Sequence, residues 1–430
     1  MVDGMSKAMN ASGSNTGAAD ARKDFNEHVA PKLAQQLGLP AQLNGSSMSK
    51  RFAYFQDNDR FAVVAGAQEG SEVELALAYG IRYANGKALT LVLPDGHTNA
   101  TEQRVPWLRK ERRPEVFVYG SSGQPALRRP RTRRETIAAF TEPRGNLGLS
   151  DELGKALTPA HLGDATAGVW QLVEMATTAP LLDHAHRPGE RSWHCAGQRV
   201  LSIARKAKGV TIKAGIHHSG AKQPLTVELP DGATLSAQQI ETISKAIEDA
   251  CDQRLSSGSK AIHKPDEHWL QSVLRRQPNA VGIEQPAMRE VPAWRPHDMP
   301  TRWGRGFLDL LGLDGHGNIR IMETKLATNV DDLLVLQGLD YFVWAHAYEA
   351  VLRTRLSAPK SATLELHYVL GDEPTKQTIK LSPCTAPLAA ALDPNQIPWR
   401  FQSVHSWYSP VSPSTPMTAR LSNLHELLPD

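Results

Sequence analysis

Long apolar runs are absent from this chain of 430 residues, as are a cysteine framework and any strong excess of one charge. No stretch approaches the roughly 18 consecutive apolar residues of a membrane-spanning helix. The N-terminal residues carry Asp, Asn, Gly, Ser and Lys where a secretory signal would have an apolar core, and neither end shows a lipidation signal. Cys195, Cys251 and Cys384 are odd in number and far apart, which excludes a disulfide framework and fits the reduced thiols of a cytoplasmic protein. Lysine and arginine total 48 against 45 aspartates and glutamates, a net charge of +3 that by itself announces no nucleic-acid partner. Aromatic residues are only 6%, and apolar residues at 40% with charged residues at 22% exclude collagen-like, coiled-coil and wholly disordered chains. What is left is a soluble, intracellular globular protein with no membrane partner, and at roughly 150 residues per domain its length predicts two or three domains.

The pattern along the chain predicts an α/β protein built from successive modules. Residues 1–22 are small, polar and without periodicity, too poor in apolar side chains to offset the entropy of ordering, and read as a disordered tail. The N-terminal α/β module, 23–145, opens with Phe25, Val29, Leu33 and Leu37 at four-residue spacing, one face of a helix that Gly38 and Pro40 stop. Strands are predicted at FAYF, FAVVAGA, ALTLVLP and PEVFVYG. They alternate with a helix over SEVELALAYGIRYANG, capped by Ser71 and stopped at Gly86, and another around 101–109. A second α/β module, 146–258, is read from a helix near Ala167 to Thr178, a Gly-, Pro- and His-rich loop, strands in RVLSIARKAKGVTIKAGIHHS and PLTVELPDG, and a long helix from Ser236 to Arg254. A linker, Ser256 to Lys260, leads into a differently patterned segment, 259–380. The Pro-rich remainder, 381–430, with Trp399, Phe401, Trp407 and Tyr408, is expected to pack back across a domain.

Three motifs in the first two modules invite chemistry. Ala65 to Gly70 lies where a phosphate cradle would, but it has only two glycines and Glu69 would repel a phosphate, which favours a plain strand-to-helix turn. His184, His186, His194 and Cys195 match the spacing of no closed zinc site. From Arg104 to Arg134 ten Lys or Arg face two Glu. Guanidinium forks grip phosphate oxygens, so Arg128, Arg129, Arg131, Arg133 and Arg134 are candidates to contact a nucleic-acid backbone; a solvated charged loop is the other reading.

The densest chemistry lies between Pro265 and Tyr348. FLDLLGL (307–313) and IRIMETK (319–325) flank Asp314-Gly315-His316-Gly317-Asn318, a loop of turn formers, and predict a β-hairpin centred on His316. A register symmetric about His316 puts Asp309 opposite Glu323, two acids in otherwise apolar strands that call for a cation between them. Lys325 lies on the face of Glu323, two residues on. Carboxylates without His or Cys neighbours describe a hard oxygen site, so Mg²⁺ or Mn²⁺ is expected rather than zinc. Glu267 opens a helix read from DEHWLQSVLRR, either as a further carboxylate or as an ordinary first-turn acid favoured by the helix dipole. Glu284 and Glu290 are weaker candidates. A long helix predicted from Asp331 to about Leu356, capped by Asn329, places Gln337 and Tyr341 four apart on one face. Arg289, Trp294, Arg295, Trp303 and Arg305 stand close by in sequence as groups that would guide a nucleic-acid strand; structural packing of the tryptophans is the other reading.

Glu267, Asp309, Glu323-Thr324-Lys325 and Gln337 to Tyr341 together resemble the PD-(D/E)XK nuclease superfamily, in particular its recombination-exonuclease-like branch with a Q-x-x-x-Y helix. The resemblance covers about 260 to 370, and Leu308 stands where the superfamily has its proline. It implies a restriction-endonuclease-like mixed sheet of four core strands flanked by helices. It also implies that Asp309 and Glu323 bind Mg²⁺, Lys325 aids the attacking water, Glu267 assists a second metal ion, and Gln337 and Tyr341 support the site. The function so implied is metal-dependent hydrolysis of DNA. An inactive nuclease-like binding module and an RNA-directed nuclease stay open, as does endonuclease versus exonuclease action. An accessory α/β sensor joined to such a nuclease is similar in architecture to genome-defence or repair effectors. The N-terminal modules would then engage DNA, a partner protein or a second copy of the chain.

Overall fold

The computed structural model describes residues 15–39, 48–121, 123–142, 167–179, 182–187, 189–215, 224–255, 266–284, 287–297, 303–326, 331–372, 379–407 and 418–422. They fall into two compact units, one drawn from Met1–Thr136, Pro296–Gly304 and Pro387–Asp393, the other from Ile137–Arg295, Arg305–Ala386 and Pro394–Asp430. Helices and three sheets make a mixed α/β fold. Among the described residues no helix is long and apolar enough to cross a membrane.

In the first unit α1 (Asn15–Asp24) runs through a π turn at Phe25–Val29 into α2 (Ala30–Gln36). The segment read as a disordered tail is therefore helical from Asn15, and 1–14 lie outside the described residues. What anchors it is distant in sequence: Arg22 donates to both carboxylate oxygens of Glu69, at 2.6 and 2.9 Å. A sheet of β1 (Ala53–Gln56), β2 (Arg60–Val64), β3 (Ala88–Pro94), β4 (Glu115–Tyr119) and β5 (Pro125–Leu127) follows in that order, parallel from β2 to β4 and antiparallel at both edges. Phe25 and Leu33 pack on Phe55, Val64 and Val92. The β2 to β3 crossover is α3 (Leu75–Ala84), entered through a 3₁₀ stretch from Ala67, so Ser71 does not cap it. Asn85, with φ 45°, makes the left-handed stop one residue before Gly86. α4 (Asn99–Arg104) joins β3 to β4, and α5 (Arg133–Phe140) follows β5. Residues near 390 complete this unit: the Arg109 N–H donates to the Ala391 carbonyl (2.8 Å) and the Asp393 N–H to that of Trp107 (3.0 Å).

The second unit holds two sheets. α6 (Ala167–Thr178) precedes an antiparallel meander of β6 (Leu182–Arg187), β7 (Glu190–Cys195), β8 (Gln198–Lys206), β9 (Gly209–Ala214) and β10 (Leu225–Pro230), followed by α7 (Ala237–Leu255). The stretch read as a His-rich loop is thus the hairpin β6–β7; Trp193 and Cys195 alternate into the core with Leu201, Ile203, Ile243 and Ile247. Ser236 opens α7 with a reciprocal cap, its hydroxyl accepting from the Gln239 N–H (3.2 Å) while Gln239 Oε1 accepts from the Ser236 N–H (2.9 Å).

The last sheet contains six strands: β11 (Met288–Pro296), β12 (Trp303–Leu313), β13 (Ile319–Leu326), β14 (Leu364–Gly371), β15 (Trp399–His405) and β16 (Thr418–Ser422). β12 and β13 are antiparallel, β13 to β15 parallel, and β16 antiparallel again. The residues after Leu381 therefore supply two strands of this sheet. α8 (Glu267–Arg276) is capped by Asp266, whose Oδ1 accepts from the Trp269 N–H at 2.9 Å. Leu270 and Leu274 of α8 share a core with Met322, Val369 and Val404 on one face of the sheet. On the other face lies α9 (Leu334–Ala347), buried on nearly every side, its Val335 carbonyl accepting from the Tyr368 hydroxyl (2.9 Å). The single helix expected to about Leu356 is two: at Tyr348 the backbone leaves helical geometry, the hydroxyl donates to the Phe140 carbonyl (3.1 Å), and α10 (Glu349–Leu356) starts afresh. Asn329, its expected cap, lies outside the described residues. α11 (Thr385–Ala391) precedes β15.

The close approach of α9 to the sheet depends on Gly338, where a Cβ would lie 2.4 Å from the ring of fully buried Tyr368. Gly338→Ala should destabilise the protein by about 1–3 kcal/mol, read from the shift of its denaturant midpoint at unchanged slope.

Candidate functional site

The hairpin loop sets the register. Asp314 Oδ1 accepts from the N–H groups of His316 (2.9 Å) and Asn318 (2.8 Å), and Gly317 takes the left-handed conformation at φ 80°. Symmetric pairing follows, from Leu313↔Ile319 to Leu310↔Met322. One position further, side chain replaces ladder: Asp309 Oδ2 accepts from the Thr324 N–H (2.7 Å) and the Thr324 hydroxyl (2.8 Å). Gln271 of α8 in turn donates to that hydroxyl at 3.2 Å.

Four of the predicted residues come together here. Lys325 Nζ lies 3.1 and 3.3 Å from the two oxygens of Glu267 and 3.4 Å from Glu323 Oε1. Among the described residues nothing hydrogen-bonds to the buried Glu323 Oε2. Asp309 Oδ1 takes no hydrogen bond among the described residues. Burial, then the charge of Glu267, pushes Asp309 up to about 7. Burial, then Asp309, holds Glu323 well above the usual carboxylate range. For Lys325 burial favours the neutral amine, but the charges of Glu323 and Glu267 outweigh it and raise the group above its ordinary value.

Tyr341 is buried on α9, and its hydroxyl too is raised by burial and then by the charge of Glu323. Gln337, one turn earlier, is half-buried, and its amide makes no hydrogen bond among the described residues. Arg295 is the second cation of the neighbourhood: it stacks over the Tyr341 ring (5.9 Å), donates to Asp340 (3.1 Å) and draws Glu323 back toward ionisation. Thr324, the middle residue of E-x-K, holds Asp309 through both its backbone N–H and its hydroxyl, a role the spacing of charged residues does not signal.

The other candidates fall elsewhere. Glu284 is exposed, its N–H on the carbonyl of Leu313 at the loop end of the hairpin. Glu290, at φ 51°, pairs with His268 and Arg289. Arg289 is itself buried against Asp183 and His194. The side chain of Arg305 lies outside the described residues. In the arginine run, Arg128 and Arg131 both pair with Glu102 (2.8 and 3.0 Å), Arg129 with Glu135 and Arg133 with Asp393, while Arg134 is exposed. Glu69 is not facing a phosphate: Arg22 and Arg51 enclose it. His194 and Cys195 point to opposite sides of β7, His194 to Ser192 (3.0 Å) and Cys195 into the core beside Cys251, so they do not share a metal. The side chain of His186 lies outside the described residues.

One further constellation has the spacing of a hydrolytic relay. His405 Nδ1 is 2.9 Å from Asp372 Oδ2 and its Nε2 3.2 Å from Ser403 Oγ, which also accepts from Ser422 (2.9 Å). Ser403 is fully buried, however, so no substrate reaches its hydroxyl, and the network ties β15 and β16 to Asp372, the residue just after β14.

Among the described residues no group of three or more His, Cys, Asp and Glu is spaced to hold a metal ion alone. Mg²⁺ asks for less, usually one or two carboxylates with waters and phosphate oxygens. Asp309 Oδ1 and Glu323 Oε2 fit that requirement, the second being a buried carboxylate oxygen without a hydrogen-bond partner among the described residues. Comparison with protein-family models, with curated proteins and with solved structures finds no match.

The elevated Asp309 gives a pH signature. A buried acid raised from about 4 to about 7 favours folding most below the unfolded value, and that contribution is lost as pH rises through 7. Between pH 5 and pH 8 the metal-free wild type should therefore lose on the order of 2 kcal/mol more stability than Asp309→Asn, which cannot ionise. Denaturant unfolding of the two proteins at both pH values measures the difference.

Proposed function

We propose that the chain is a metal-dependent nuclease that hydrolyses DNA phosphodiester bonds, with a role in genome defence or repair. The observation that carries it is the unpartnered Glu323 Oε2, buried beside a second raised carboxylate, Asp309, and a lysine. The mixed order of β12 to β15, with helices on both faces, supports the resemblance drawn from the residue spacing.

A Mg²⁺ or Mn²⁺ ion, when bound, would polarise a phosphoryl oxygen and lower the pKa of a bound water. Asp309 Oδ1 and Glu323 Oε2 would hold it. Asp309 is kept in place by Thr324, so its orientation does not depend on the ion. Lys325, between Glu323 and Glu267, keeps its proton at neutral pH. It therefore acts as a hydrogen-bond donor and positive charge toward the attacking water and the phosphate oxygens, and not as the base. Glu267 fixes the direction of that ammonium. Tyr341 and Gln337 line α9 as supporting groups, and Arg295 offsets the acids. The arginines from Arg128 to Arg134 reach a DNA backbone by exchanging carboxylate partners for phosphate, with Arg134 already exposed. Three buried, free thiols support a cytoplasmic setting.

Incubation with circular and linear, single- and double-stranded DNA and with RNA, in Mg²⁺, Mn²⁺ or EDTA, tests this on a gel. Cleavage of DNA is expected with either ion and none with EDTA. Asp309→Ala and Lys325→Ala should each lower the rate roughly 10²–10⁴-fold while remaining folded. Cleavage undiminished by both changes overturns the assignment. A melting temperature insensitive to Mg²⁺, with no scission, indicates a module that binds without cutting, and preferential cutting of RNA moves the substrate class.

A further inference from the structure

The antiparallel module has no part in the chemistry above, yet it is built into the helix that carries Glu267. We propose that Arg254, in the last turn of α7, is a positioning residue for the site: it holds Asp266, and with it the first turn of α8, so that Glu267 meets Lys325. The inference rests on the nuclease function proposed above.

Arg254 is a charged side chain only 2% exposed. A buried guanidinium is tolerated only when its donors are satisfied. Here Nε and Nη2 donate to the Ala196 carbonyl (3.2 and 2.9 Å), Nη2 donates also to Asp266 Oδ1 (2.8 Å), and the plane stacks on Trp269 at 4.8 Å. Asp266 Oδ1 is the same atom that caps α8 through the Trp269 N–H. The residue after that cap is Glu267, whose carboxylate receives Lys325.

The Ala196 carbonyl is presented by the β7–β8 turn, where Ala196 (φ 45°) and Gly197 (φ 78°) are both left-handed. A non-glycine residue in that region is strained and persists where its surroundings fix it. Gly197 sits against the start of α8 so closely that a Cβ would fall 2.0 Å from the His268 carbonyl oxygen and 2.7 Å from the Trp269 nitrogen. At the other end of the helix Arg275 pairs with buried Asp183 of β6. The module therefore grips α8 at both ends, and the grip nearer the chemistry ends one residue from Glu267. Displacements of about 1 Å in a catalytic group cost up to about 10²-fold in rate, so this contact acts on turnover and leaves substrate affinity in place.

The test uses the full chain with Arg254→Gln, Arg254→Lys, Asp266→Asn, Glu267→Gln and the Arg254→Gln/Glu267→Gln double variant. DNA cleavage is followed as kcat and KM, and the Lys325 ammonium by its proton–nitrogen NMR signal, assigned with Lys325→Arg. Arg254→Gln should lower kcat about 10- to 100-fold with KM little changed, Arg254→Lys should recover part of the loss, and Arg254→Gln should cost nothing further in the Glu267→Gln background. The slowly exchanging ammonium signal of the wild type should be lost in Arg254→Gln and in Glu267→Gln alike. Losses that multiply in the double variant, or a signal that persists in Arg254→Gln, overturn the proposal. Should Arg254→Gln not fold, Asp266→Asn, which keeps a capping side chain, decides by the same two readouts. A wild type that cuts nothing refutes the nuclease assignment, and the ammonium signal alone then decides whether Arg254 positions Glu267.

Discussion

Two carboxylates buried side by side at the end of a hairpin repel one another, and removing each from water costs several kcal/mol unless something answers its charge. Much of the second unit can be read as the response to Asp309 and Glu323. Thr324 gives Asp309 a backbone N–H and a hydroxyl, Gln271 steadies that hydroxyl from α8, and Lys325 shares itself between Glu323 and Glu267. Arg295, fixed on Asp340, adds a second positive charge. These groups hold the acids together but leave one oxygen of Glu323 without a hydrogen-bond partner among the described residues. An unanswered carboxylate oxygen costs stability, and it is there that the fold departs from the packing rules it obeys elsewhere.

Local features of the sequence carried the hairpin. A loop of Asp, Gly and Asn fixes its own geometry, so the pairing of Leu310 with Met322 follows from counting residues outward from His316. The helix from Ser236 was visible for the same reason, since its signals lie within a few residues. Contacts between distant residues were not visible. Arg22 orders a polar N-terminal helix only because Glu69 waits 47 residues on, and Arg254 finds the Ala196 carbonyl across 58. The hairpin β6–β7 hid behind histidines and arginines whose alternation with Trp193 and Cys195 is broken by no apolar run. β15 and β16 hid in a Pro-rich tail because a strand added in the middle or at the edge of a sheet owes its stability to its neighbours more than to its own residues. At Tyr348 a tertiary bond to Phe140 overrode a continuous helical pattern.

The arginine run shows why a charge count is a poor guide to a charged surface. Ten cations between Arg104 and Arg134 suggest a bare positive strip. In the fold Glu102 answers two of them, Glu135 and Asp393 two more, and Arg104 is turned inward to Glu74 at 2.8 Å. Of these pairs Arg129 with Glu135 is exposed on both sides, a kind worth little to stability that yields readily to salt. Any backbone phosphate arriving there competes with carboxylates already in place.

Asp393, the partner of Arg133, belongs to a short segment that comes late in the chain. The backbone of Ala391, Leu392 and Asp393 bonds with Trp107, Leu108 and Arg109, a closure nearly three hundred residues long. Contacts of such sequence separation form late, since the loop between their ends must be ordered first. During synthesis the N-terminal sheet leaves the ribosome early, yet its last strip of backbone arrives only after the whole antiparallel sheet and four of the six strands of the last sheet. The unit that begins the chain is thus among the last to be finished, and a fragment cut after Thr136 would present the carbonyl of Trp107 and the N–H of Arg109 to solvent in place of the residues that normally close over them.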